Sequence, residues 1–218
     1  MAFLTEKDKQ YIQNLFENLK DDVKLIMFTQ EIECQYCRET KQLLEEVAAI
    51  SDKITLTIYN FQIDKEIADT YRIDKIPATI IEGKKDYGIR YYGIPSGYEF
   101  SSLLEDIVDV SKNESGLSEE SRQMLAKVKS PMHLQVFVTP TCPYCPRAVR
   151  LAHKLAIEND FITADMVEAT EFPHLSVKYS VSGVPRTVIG EDFPIEGAVP
   201  EMTLVEKLLE AYKQSTNQ

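Results

Sequence analysis

Leu134-Gln135-Val136-Phe137-Val138-Thr139-Pro140-Thr141-Cys142-Pro143-Tyr144-Cys145 is the stretch that decides how the chain reads. Its apolar run, residues 134–139, is short and continuous, as in a strand buried on both faces. A Cys-x-x-Cys motif follows directly, and Ala148, Leu151, Ala152 and Leu155 then recur on one face at helical spacing. The same succession occurs near the start of the chain. Residues 23–29 form the apolar run, Cys34-Gln35-Tyr36-Cys37 the motif, and Thr40, Leu43, Leu44 and Val47 the helical face. Ile76-Pro77 follows the first motif and Val184-Pro185 the second. Positions 34 and 142, 37 and 145, and 77 and 185 are all 108 residues apart, so the chain holds one unit twice.

Flanking sequence extends the repeat. Thr5 and Ser118, each followed by an acid, are natural N-caps of an opening helix. Second strands are expected over 54–60 and 161–167, and short helices over 65–71 and 172–179. After each proline comes a hairpin, 78–82 with 87–92 and 186–189 with 193–196, and then a closing helix, 97–110 and 201–212. This order predicts an α/β fold of two tandem units, each a four-stranded mixed sheet flanked by helices. The polar stretch Ser111-Lys112-Asn113-Glu114-Ser115-Gly116 separates them, giving units at 1–113 and 117–218. It is too short for a long flexible tether, so the units should touch, with their sheets free to join edge to edge.

With 44% hydrophobic and 27% charged side chains in 218 residues, each half can bury a core without covalent staples. The four cysteines are therefore available for chemistry. A net charge of −11 weighs against nucleic acid and anionic membrane as partners. The start of the chain lacks a basic region followed by an apolar core, and the longest apolar runs are only about four residues. A cytoplasmic setting is expected, where paired cysteines are more often catalytic or metal-bound than structural.

A dithiol catalyst needs one accessible thiolate and a second thiol close enough to resolve a mixed disulfide. Two cysteines three apart at a helix N-terminus meet both needs, because unpaired N–H groups and the helix dipole favour the thiolate. Cys34 and Cys142 are the expected nucleophiles. Cys37 and Cys145, one turn in and better buried, are the expected resolving thiols. Glu31, Glu33 and Glu39 surround the first motif against Arg38 and Lys41, whereas Arg147, Arg150 and Arg186 attend the second. Cys142 is on this basis the more acidic thiol and the second site the more active one. Tyr36 and Tyr144 are placed on a substrate rim, and the scattered His133, His153 and His174 at the surface or its boundary. A cis peptide before Pro77 or Pro185 would expose the backbone of Ile76 or Val184 to an extended substrate strand, although X–Pro bonds are cis in only about 5–6% of cases.

Cys142-Pro143-Tyr144-Cys145 resembles the dithiol motif of glutaredoxins, and Ile76-Pro77-Ala78-Thr79 the cis-proline segment of thioredoxins. Over essentially the whole chain, the tandem arrangement is similar to the protein disulfide oxidoreductases of archaea and thermophilic bacteria, glutaredoxin-like proteins with two thioredoxin-fold units. The resemblance implies cis bonds at both prolines and reductase, oxidase or isomerase activity on protein disulfides or thiols. It also implies no bound cofactor or metal, and electrons from a thioredoxin-reductase-like flavoenzyme. It carries nucleophile and resolving roles onto the four cysteines, and substrate-backbone contact onto Ile76, Pro77, Val184 and Pro185. Two departures stand out. Residues 25–28 and 136–138 lack the buried acid that thioredoxins place before the motif, and Gly190-Glu191-Asp192 only loosely resembles the Gly-Gly-x-Asp of glutathione-binding glutaredoxins. Two rival readings are a zinc or iron–sulfur protein and a non-catalytic peptide-binding chaperone with structural disulfides. The 104 residues between the cysteine pairs far exceed the spacing of about 15–20 usual for zinc.

Overall fold

The computed structural model describes residues 3–216; Met1, Ala2, Asn217 and Gln218, the outermost residues of the two expected units, lie outside it. Its first half comprises α1 (Glu6–Phe16), β1 (Val23–Thr29), α2 (Cys37–Ala48), β2 (Ile54–Asn60), α3 (Lys65–Thr70), β3 (Ala78–Glu82), β4 (Asp86–Tyr92) and α4 (Glu99–Lys112). The second comprises α5 (Glu119–Leu125), β5 (Met132–Val138), α6 (Cys145–Glu158), β6 (Ile162–Glu168), α7 (Pro173–Lys178), β7 (Arg186–Ile189), β8 (Phe193–Glu196) and α8 (Glu201–Thr216). Local chemistry sets the ends of these elements. Thr5 caps α1 by accepting the Asp8 N–H at 3.2 Å, while the Asp8 carboxylate accepts the Thr5 N–H at 2.9 Å. Ser118 caps α5 through the Ser121 N–H, and Asn113 closes α4 in the left-handed conformation.

The eight strands form one mixed sheet in the order β2-β1-β3-β4-β6-β5-β7-β8. The two halves join edge to edge, Ile89–Tyr92 of β4 lying parallel to Ala164–Val167 of β6. Gly88, at φ +77°, permits the approach, since a Cβ there would sit 3.0 Å from Thr163 and 3.1 Å from the Ile162 carbonyl. Strands β1, β2, β4, β5, β6 and β8 all run one way, and β3 and β7 the other. The C-terminal ends of β1 and β5, from which both motifs emerge, therefore share one edge of the sheet.

Helices cover the two faces unequally. One face carries α1, α2, α4, α5, α6 and α8 over a core that includes Leu44, Leu103, Val149 and Leu208. On the other, α3 and α7 pack over Phe28, Phe137, Tyr92 and Phe172. The strands feeding the motifs are buried as their apolar runs predicted: Leu25, Ile26, Met27, Phe28, Val136, Phe137 and Val138 have no exposed surface. Several boundaries differ from the sequence reading, among them the end of α8 at Thr216. Strand β5 starts at Met132, because pairing with β6 continues through His133 and Thr163. Cys37 and Cys145 open their helices as first residues instead of lying one turn in.

A polar cluster fills the seam between α4 and α6. Arg150 meets Glu105 at 3.2 Å, Asp109 at 2.6 Å and also Asp106. Asp106 is fully buried, accepts the Tyr91 hydroxyl and lies 2.5 Å from His153 Nδ1. His153 is thus a core residue and not a surface one. Its desolvation, aided by the Arg150 charge, pushes its pKa down to about 3, so the ring stays neutral and donates Nδ1–H to Asp106. His133 is half-buried and His174 exposed.

Removing one side of a buried pair strands the other charge. Arg150→Ala should therefore cost about 3–5 kcal/mol in urea unfolding. Lys65→Ala, at the exposed Lys65–Asp69 pair, should cost no more than about 0.5 kcal/mol.

Candidate active sites

Each motif starts in the loop leaving its strand and ends on the first residue of a helix. Both pairs are closed as disulfides, with 5.5 Å between the Cα atoms of each pair. Tyr36 and Tyr144 occupy the N-cap positions without a side-chain capping bond, so no side chain there competes for the first-turn N–H groups. The leading cysteine of each pair is the more open. Cys34 is half-buried against 3% exposure for Cys37, and Cys142 shows 7% against none for Cys145.

Both Ile76-Pro77 and Val184-Pro185 bonds are cis. The Pro77 carbonyl accepts the Gly93 N–H at 2.9 Å and the Pro185 carbonyl accepts the Gly197 N–H at 2.8 Å. The Val184 carbonyl oxygen lies 3.7 Å from Cys142 Sγ, which sets this edge across the second disulfide. Tyr144 is 70% exposed beside it, whereas Tyr36 turns its ring partly onto the core.

Four inter-strand spacings separate β1 from β5, which puts the two motifs about 19 Å apart. A single zinc site needs every sulfur about 2.3 Å from one ion, so this chain cannot gather its four cysteines around a metal. At that separation a thiolate of one motif does not reach the disulfide of the other within one molecule. Among the described residues no group of three or more His, Cys, Asp and Glu could hold a metal ion, and no helix is long and apolar enough to cross a membrane.

Tertiary pairing removes part of the charge around each motif. Arg150 turns into the cluster of Glu105, Asp106 and Asp109, and Arg186 pairs with Glu196. Arg147 alone of the three remains exposed with no carboxylate in reach among the described residues, and Glu31 and Glu33 beside the first motif are exposed with no basic partner among them, so the sign of the local charge still differs between the motifs.

A buried carboxyl lies at the N-terminal end of α4. Partners across the α4–α6 seam are 41 to 47 residues apart in sequence. At the same end, the Tyr98 N–H donates to the Pro140 carbonyl at 3.1 Å. Glu99 is 1% exposed, its Oε2 accepts the Ser102 hydroxyl at 2.8 Å, and its Oε1 has no hydrogen-bond partner. Burial lifts its pKa to about 7. Glu168, at the end of β6 beside Val138, is also buried with an unpartnered Oε1. Both acids belong to elements other than the strand before the motif. In sequence Glu99 looks like an ordinary first-turn acid, and only the tertiary structure shows it buried.

The thioredoxin domain model matches residues 23–105 and 132–210. An alkyl hydroperoxide reductase subunit of Staphylococcus epidermidis is 27% identical over 186 residues, which are 85% of this chain and 34% of the relative. The Staphylococcus aureus protein of the same name is 24% identical over the same share. The chain thus spans about a third of the length of these relatives. A solved protein disulfide oxidoreductase from Aeropyrum pernix superimposes with a TM-score of 0.91 at 27% identity, covering 98% of this chain and 96% of that one. The NTD_N/C domain of alkylhydroperoxide reductase from Enterococcus faecalis gives 0.88 at 25% identity, covering 94% and 100%. With more than half its length matched in two segments, each holding one Cys-x-x-Cys motif and one cis-proline, the chain belongs to the thioredoxin domain family.

Proposed function

We propose that this protein is a dithiol–disulfide oxidoreductase acting on protein disulfides. The carrying observation is the second motif, closed as a disulfide with Cys142 Sγ 3.7 Å from the Val184 carbonyl. Likeness to a solved protein disulfide oxidoreductase supports the reading. Units 1–113 and 117–218 each carry one site. Cys34 and Cys142 are the nucleophiles, and Cys37 and Cys145 resolve. Ile76, Pro77, Val184 and Pro185 hold the substrate backbone, with Tyr36 and Tyr144 beside it.

In the reducing direction the Cys142 thiolate attacks one sulfur of the substrate disulfide, and the other leaves as a thiolate. The Cys145 thiol gives its proton to Glu99 and attacks Cys142 Sγ, releasing the second substrate thiolate. Two electrons have passed to the substrate, and the Cys142–Cys145 disulfide remains. A carboxylate with pKa about 7 suits the proton transfer near neutral pH. Run backwards, the same steps oxidise a dithiol. The end of α4 that carries Glu99 is tied to Pro140 ahead of the second motif, so the second site carries most turnover. A thioredoxin-reductase-like flavoenzyme supplies electrons, in keeping with similarity to part of a hydroperoxide reductase. The setting is cytoplasmic.

Insulin reduction assigns the work: Cys142→Ser/Cys145→Ser should lose most activity and Cys34→Ser/Cys37→Ser should retain most of it. The reverse order would reject the assignment, and full activity in a variant lacking all four cysteines would reject the function. Glu99→Gln tests the proton transfer. Resolution in the native protein should rise with pH through about 7 as the carboxyl ionises. The variant should lose that dependence and accumulate the Cys142 mixed disulfide, visible by mass spectrometry after acid quench. Stability gives a second readout. The folded protein binds the extra proton between the ordinary value of 4.5 and about 7, so its stability falls as pH rises through that window. Glu99→Gln should flatten the fall.

A further inference from the structure

We infer that a slot between α3 and α7, over the seam where the two halves fuse, binds an extended stretch of polypeptide carrying an acidic side chain. That this polypeptide is a substrate of the first site rests on the disulfide-exchange reading above.

Strand alternation builds the floor of the slot. On the sheet face that packs against α3 and α7, positions such as Phe28, Ile80, Phe137 and Val188 are apolar. At the fused strands the floor turns polar: Arg90 of β4, Asp165 of β6 and Gln135 of β5 stand opposite one another in register. The seam is left as a cavity of about 800 Å³, walled by Tyr71 and Lys75 on one side and by Lys178 and Tyr179 on the other. That volume is within the range of ligand sites.

Two side chains in the slot are buried without partners. Gln135 is 5% exposed and Tyr92 2%, yet neither the Gln135 amide nor the Tyr92 hydroxyl makes a hydrogen bond among the described residues. Neither group is fully enclosed, so both open onto the cavity. An unpaired buried polar group is unfavourable, and an occupant that pairs with it relieves the cost. The Gln135 amide offers a donor and an acceptor together, which is the complement of a peptide bond.

Charge adds the acidic side chain. Each of the five carboxylates lining the cavity is met by a cation, Asp86 by Arg90 and Asp165 by His133 among them. Arg72 lines the same cavity, exposed, with no carboxylate in reach among the described residues. The slot also adjoins the first site. Lys75, with Nζ 3.7 Å over the Tyr92 ring, precedes the Ile76-Pro77 edge, and Gly93 after Tyr92 donates to the Pro77 carbonyl. From Tyr92, β4 lines the slot as far as Gly88, about 13 Å or four extended residues. The Tyr71 carbonyl accepts from Arg90 at 3.1 Å, which sets Arg72 partway along this run. A chain held at Ile76 thus brings its third or fourth residue from the cysteine toward Arg72.

The probe is a fluorescein-labelled peptide of about eleven residues, with serine in place of a central cysteine. It carries glutamate at the third and fourth positions on each side, and a counterpart carries glutamine there. Fluorescence anisotropy with the full chain reads Kd. The glutamate peptide should bind about 5-fold more tightly than its counterpart, although a net charge of −11 repels it overall. Arg72→Glu should abolish that preference. Gln135→Ala and Tyr92→Phe should each weaken binding of both peptides about 5-fold. Thermal melts check folding, and Arg72→Glu, at an exposed position, carries the test if a buried variant melts early. No binding, or equal binding by the native protein and all three variants, overturns the inference. Insulin reduction is read in parallel on the native protein. Reduction without peptide binding overturns the inference alone, whereas binding without reduction overturns the exchange reading and leaves the slot as a polypeptide-binding site.

Discussion

The parallel pairing of β4 with β6 is the constraint on which the rest of this molecule depends. Four residue pairs, from Ile89–Ala164 to Tyr92–Val167, turn two four-stranded sheets into one of eight strands. Every strand then inherits a direction and a place. Both motifs come to one edge, about 19 Å apart by strand spacing, and a continuous hydrogen-bonded sheet does not let them close that gap. Two thiol–disulfide centres are held within reach of one polypeptide yet out of reach of each other.

The same pairing lays α4 of the first half along α6 of the second. Their seam is polar where most of the core is not. Arg150, Asp106, His153 and Tyr91 meet there and tie the two helices together. At the N-terminal end of α4, Tyr98 is bonded to Pro140 and Glu99 follows it. A carboxyl buried with one oxygen unpartnered resists ionisation, and this is what lifts its pKa to about 7. The loop before the second motif is thus held by a residue of the first half, through the Tyr98 N–H and the Pro140 carbonyl.

Charge illustrates how far local reading carries. Arg147, Arg150 and Arg186 look like a basic surround for Cys142 when taken along the chain. In space Arg150 serves three carboxylates of α4 and Arg186 serves Glu196, so only Arg147 is left of that excess. His153 is the converse case. Nothing near it in sequence announces a buried partner, because Asp106 lies 47 residues away.

Elements whose signal is local were legible from the residues alone. The apolar runs before each motif, the caps at Thr5 and Ser118, and the 108-residue echo of cysteines and prolines specify two thioredoxin-like units with two dithiols. They do so because strand burial, helix capping and motif spacing act over a few residues. Tertiary structure alone decided that the sheets fuse through β4 and β6 and that Arg150 faces acids. It also decided that Glu99 is buried and that Tyr98 bonds to Pro140, more than 40 residues further along the chain. Contacts across two packed helices depend on the register of the sheet beneath them, and no short-range pattern of residues records that register.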